Sequence, residues 1–118
     1  MKRWLCLLVF GLAMASYGAP RKIVLKVEKG ADGKTHWMPE KVEVKPGEKV
    51  VFEAHYDAPK GAYDFHGLSI PVLKLTKEVT FGKVMDIPVT IPKDLKAGEY
   101  PIQCHLHETH QPATLVVK

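Results

Sequence analysis

The sequence predicts an all-β chain, a sandwich or small barrel of seven to eight short strands, and three observations carry that prediction. Apolar and polar residues alternate in short stretches, turn-forming residues separate those stretches about every eight to twelve positions, and no helical periodicity is sustained. Nine prolines and nine glycines fit such a fold and discourage a helical one.

Taken in order, residues 1–18 differ in kind from the rest. Lys2 and Arg3 precede WLCLLVFGLAMA, an apolar run too short to be a comfortable membrane span, which is the pattern of a secretory signal peptide. Small residues allow cleavage after Ala15 or after Gly18, leaving a single domain over 19–118; a retained membrane anchor is the plainer alternative. RKIVLKVE (21–28) then alternates Ile23, Leu25 and Val27 with charge, and GADGK turns the chain. KVEVK (41–45) alternates again, Pro46-Gly47 makes a turn, and EKVVFEAHY (48–56) continues as strand. Beyond the loop DAPKGAYD come FHGLSI (65–70), KEVTF (77–81), MDIPVTI (85–91), EYPIQC (99–104) and ATLVVK (113–118).

Composition limits what the domain does. A 46% hydrophobic, 25% charged chain is ordinary for a soluble globular protein. Removing residues 1–18 takes Lys2 and Arg3 and no acid, so the net charge falls from +4 to +2. No cluster of Lys and Arg interleaved with aromatics accompanies that small excess, so nucleic acid is not an expected partner. Nor is there a serine-nucleophile motif, a phosphate-binding glycine loop or H-E-x-x-H, and the chain is not expected to be an enzyme.

The same cleavage removes Cys6 and leaves Cys104 as the single cysteine of an exported chain. Exported proteins generally use cysteine in disulfide pairs, so a lone thiol is buried, paired between chains, or bound to something. Cys104, His105, His107 and His110 crowd into YPIQCHLHETHQ, on a loop between two strands. Soft and borderline donors at that density point to metal ligation, whereas an isolated cysteine at a strand end is more often an inert thiol.

Three segments, in this order, resemble the cupredoxins. WMPEKVEVKPGEKVVFEA (37–54) is similar to their early strand pair, FHGLSIP (65–71) to the segment bearing the upstream histidine ligand, and AGEYPIQCHLHETH (97–110) to their G-x-Y-x-x-x-C-x-x-H ending. The resemblance implies a Greek-key β-sandwich and a copper site with one ion per chain. In such a site a thiolate and two imidazoles hold copper in a trigonal arrangement beneath a weak axial ligand. His66, Cys104 and His107 would be that set.

The axial position departs from the pattern. Where amicyanin-like loops run C-x-x-H-x-x-M, this chain reads C-x-x-H-x-x-H, placing His110 at the methionine's position. An imidazole is a harder and stronger donor than a thioether; it stabilises Cu(II), lowers the reduction potential and implies a green or red centre rather than a blue one. His55, His105 and Glu108 are alternative fourth ligands. His55 is equally a partner behind the ligands or a surface residue, and His105 and His36 are expected to face solvent. One cysteine with three histidines also suits tetrahedral zinc, but C-x-x-H-x-x-H lacks the paired spacing of structural zinc modules.

Two functions follow from the resemblance. One is a periplasmic one-electron carrier, monomeric and free of the membrane after cleavage, that meets a redox partner over an apolar rim drawn from Leu106, Pro112 and Leu68. The other is a copper-handling protein for tolerance, storage or delivery, which meets a copper donor or acceptor and is favoured by the additional histidines. A metal-free binding module is the plainest alternative.

Overall fold

A computed structural model describes residues 19–57, 63–107 and 109–118. The expected signal peptide and Glu108 lie outside the described residues. The eight stretches expected as strands all form, with ends moved by one or two positions, and one further strand joins them. In chain order they are β1 (Arg21–Lys29), β2 (Thr35–Met38), β3 (Lys41–Val44), β4 (Lys49–His55), β5 (Phe65–Ile70), β6 (Leu75–Thr80), β7 (Val84–Thr90), β8 (Gly98–Ile102) and β9 (Ala113–Val117). The addition is β2, four residues too short to show a period of two.

Two layers enclose the core. One is a four-stranded sheet in the order β2-β1-β4-β7, with β1 and β4 parallel. The other is the three-stranded sheet β3-β9-β8, extended by the β5-β6 hairpin through a bridge between Ser69 and Gln103 whose two amides each donate at 2.8 Å. β3 and β9 are parallel, so the final strand returns beside an early one. Inward positions alternate as the sequence indicates: Ile23, Leu25 and Val27 of β1 and Val50, Phe52 and Ala54 of β4 are buried, and they meet Leu68, Ile70, Ile102 and Leu115 of the opposite layer. At β5 the alternation gives way to a buried run from His66 to Ile70, because one face packs on the core and the other is covered. Burial of this apolar set is the main stabilising force on the sandwich.

Turn chemistry fixes the strand ends. In Lys45-Pro46-Gly47-Glu48 the Glu48 amide donates to the Lys45 carbonyl at 3.1 Å, and Gly47 takes φ 80°, the arrangement of a type II turn in which glycine supplies the positive φ. At the opposite end lie the starts of β5 and the β8–β9 loop. The sequence segments that carry Cys104 and four histidines therefore meet at one pole.

Candidate metal centre

His66 is the second residue of β5, and the pleat turns its side chain inward, so that it is only 6% exposed. Cys104 follows the end of β8 and is half-buried as a free thiol. The loop after it is short because β8 and β9 are adjacent antiparallel strands, with Ile102 opposite Ala113. That register leaves His107 half-buried near the surface and returns His110 to the interior, where it is 5% exposed.

The donor atoms converge. Nδ1 of His66 lies 2.9 Å from Nδ1 of His110 and 3.3 Å from Nδ1 of His107, and Sγ of Cys104 lies 3.5 Å from Nδ1 of His107. His66, Cys104 and His110 offer ligand atoms all within 4.8 Å of one another. Imidazole nitrogens about 2.0 Å and a thiolate about 2.3 Å from one tetrahedral ion stand roughly 3.3 Å and 3.5 Å apart. The His66–His107 and Cys104–His107 separations match that spacing. The His66–His110 pair is closer, as two imidazoles are when one donates to the other. His66, Cys104 and His110 therefore form a group that could hold one metal ion, and Nδ1 of His107 stands at ligand spacing from His66 and Cys104 without joining that group.

Electrostatics keep the imidazoles in the form a metal needs. Burial pushes His66 down to about 4, helped by the neighbouring charge of His107, and burial pushes His110 down to about 3, helped by His66, His107 and His36. His107 is also lowered, by burial first and by His105 second. All three are neutral at pH 7, with lone pairs available.

Aromatic side chains grip each imidazole. Trp37 stacks on His110 at 5.4 Å between ring centroids, Tyr56 meets His66 edge-on at 4.5 Å, and Tyr63 lies over His107 at 3.6 Å. Gly67 joins them from β5: its amide donates to Sγ of Cys104 at 3.2 Å, and its carbonyl accepts from Nε1 of Trp37 at 3.1 Å. Metal-bound histidines ordinarily donate their second ring nitrogen to a partner. Nε2 of His110 is buried with none among the described residues, so stacking on Trp37 takes over the orienting role.

The other expected residues are placed as follows. His105 is exposed, as anticipated, with its ring against Gly67, where an added Cβ would stand 2.5 Å from Nδ1. His55 engages carboxylates: its Nε2 is 3.0 Å from Glu53 and its Nδ1 4.0 Å from Asp57. His36, expected in solvent, is partly covered on β2, its Nε2 2.9 Å from Asp32, because Gly30 leaves room for the ring. Of the rim residues, Leu106 and Pro112 are exposed, whereas Leu68 is fully buried and belongs to the core. The aromatic grips and the Gly67 amide are not visible in the sequence; the aromatic of WMP is its nearest signal, and it points to fold.

A two-layered β-sandwich with a thiol and imidazoles gathered at one pole defines the class. The family model of the cupredoxin-like domain matches residues 4–117, and the chain belongs to that family. No curated protein sequence matches it. Among solved structures it is similar to a copper binding protein in the apo form, at 18% identity and TM-score 0.59, covering 82% of this chain and 86% of that one. The metal binding domain of the Streptococcus pneumoniae Cu(I)-exporting P-type ATPase CopA aligns at 16% identity and TM-score 0.62, over 82% and 84% of the two chains. An oxidized amicyanin mutant aligns at 18% identity and TM-score 0.53, over 86% of each. Likeness at these identities is likeness of fold.

Proposed function

We propose that the protein is an exported copper carrier of single electrons, binding one ion through His66, Cys104, His107 and His110. The observation supporting this most directly is that His66, Cys104 and His110 offer ligand atoms within 4.8 Å of one another, with Nδ1 of His107 3.3 Å from His66 and 3.5 Å from the Cys104 sulfur. Copper, when bound, supplies the one-electron couple. The protein's part is to hold the donors still. β5 fixes His66, the end of β8 fixes Cys104, and Tyr56, Tyr63 and Trp37 restrain the imidazoles, so both oxidation states meet nearly the same arrangement. Four protein donors leave no open position for a substrate, which favours a carrier over an enzyme. His110, an imidazole at the loop position where a thioether is the pattern, would favour Cu(II) and a low potential. The amino-terminal pattern of residues 1–18 supports export to a periplasm, where Leu106 and Pro112 offer an apolar approach to a redox partner.

Copper handling is the second reading, favoured by the exposed imidazole of His105 beside the cluster. Both the apo copper binding protein and the domain of a Cu(I)-exporting ATPase are among the similar folds.

One equivalent of Cu(II) added to residues 19–118, followed by visible absorption and electron paramagnetic resonance, tests the assignment. An intense thiolate-to-copper band is expected, moving toward blue in His110→Met. A pale spectrum unchanged by that substitution would sink it. Reversible reduction with copper retained supports the electron carrier, and loss of copper to a chelator on reduction supports handling.

A further inference from the structure

We propose that Tyr63 is a positioning residue for His107 and that the stack between their rings governs how long His107 stays on a bound copper ion. The inference rests on the copper reading above. His66 and His110 are buried and held by core aromatics, Tyr56 and Trp37. His107 is half-buried on a loop, and among the described residues its ring meets the rings of His66 and Tyr63. Tyr63 constrains it from outside. Its ring lies 3.6 Å from the imidazole with planes 23° apart, while the residue remains 47% exposed.

Tyr63 is itself anchored. Its carbonyl accepts the Tyr56 hydroxyl at 2.8 Å, and the carbonyl of the next residue, Asp64, accepts the Phe81 amide at 2.8 Å. Tyr56 is 2% exposed and touches His66. The two imidazoles thus lean on two tyrosines that are hydrogen-bonded to one another, and the 3.3 Å spacing of the His66 and His107 nitrogens follows from that frame. Rotation of the His107 ring away from the cluster has to break the stack. An aromatic pair of this kind changes an equilibrium by about twofold to tenfold. Stacking uses the ring and not the phenol oxygen, so phenylalanine serves equally.

The test compares wild type with Tyr63→Ala and Tyr63→Phe. In the apo proteins, the His107 ring protons should lose their ring-current shift in Tyr63→Ala and keep it in Tyr63→Phe. In the Cu(I) proteins, transfer to bicinchoninate should accelerate about twofold to tenfold in Tyr63→Ala and stay at the wild-type rate in Tyr63→Phe. Wild-type shifts and transfer rate in Tyr63→Ala overturn the proposal, as does a Tyr63→Phe protein that behaves like Tyr63→Ala. If wild type takes up no copper, the copper reading fails and the residence effect falls with it; the apo ring shifts still decide whether Tyr63 orients His107.

Discussion

The amide of Gly67 donates to the sulfur of Cys104 across 3.2 Å, so a residue of β5 hydrogen-bonds the thiol that leaves β8. A donor on the sulfur withdraws electron density from it, and hydrogen bonding around the cysteine is one of the means by which such sites set their potential. The same residue is pressed by His105 on one side and receives the Trp37 indole on the other.

Gly67→Ala should disturb both the fold and the sulfur. A Cβ there would stand 2.5 Å from His105 Nδ1 and 3.0 Å from the His105 backbone nitrogen. The exposed ring can swing away and the backbone cannot, so the expected cost is about 1 kcal/mol, at the low end for overpacking. Urea denaturation of the apo protein reads that cost, and a shifted thiolate band reads the altered hydrogen bond; a variant identical to wild type in both refutes the tight approach.

Trp37→Phe keeps an aromatic ring beside His110 but removes the donor to the Gly67 carbonyl. A buried carbonyl left without a partner, together with lost volume, should lower stability by about 2–3 kcal/mol. The His110 ring resonances should shift as well. A loss well under 1 kcal/mol would show that the indole hydrogen bond contributes little.

Apo stability should fall on acidification. His66 and His110 titrate near 4 and 3 when folded and near 6.5 when unfolded, so between those values the unfolded chain binds more protons. Their contribution is complete above pH 6.5, declines as the pH drops toward 4, and is exhausted below about 3. Thermal melts of the metal-free protein should therefore lose several degrees between pH 6.5 and 4.5. A flat or rising Tm over that interval would contradict the burial of these imidazoles.

Glu48→Gln tests the opposite end. Glu48 accepts from Arg21 Nε at 2.9 Å and from the Lys45 amide at 3.1 Å, and the Arg21 guanidinium holds its carboxyl below the usual range. The pair lies at the surface and is partly exposed, so its loss should cost less than about 1 kcal/mol. The copper spectrum should not change, because no cluster residue touches it.

Much of this is legible in the sequence. Ile23, Leu25 and Val27, and likewise Val50, Phe52 and Ala54, declare their strands by alternation, and the C-x-x-H-x-x-H loop announces its donors directly. Periodicity says which face a residue takes but not which distant strand it meets. The parallel pairings of β1 with β4 and β3 with β9 are therefore hidden. So are the grips of Trp37 on His110 and Tyr63 on His107, which join residues far apart in the chain. His36 and His55 are ambiguous for a related reason: their carboxylate partners, Asp32 and Glu53, are close in sequence, but only the β1–β2 turn and the β4 backbone bring each pair within hydrogen-bond reach.

The pairing of β3 with its neighbours has a consequence for how the molecule is held. Arg21, at the start of β1, donates to the Glu43 carbonyl at 2.7 Å, and Lys118, just past β9, donates its amide to the Val44 carbonyl at 3.0 Å. Arg21 and Lys118 thus lie beside one end of β3, while the donor loop opens at the other end of β9, a strand's length or roughly 17 Å away. Both residues sit on the side away from the thiol and imidazoles. A surface or label attached at Arg21 or Lys118 therefore leaves the thiol and imidazoles facing outward, so the point of attachment sets the orientation of the domain without covering its donors.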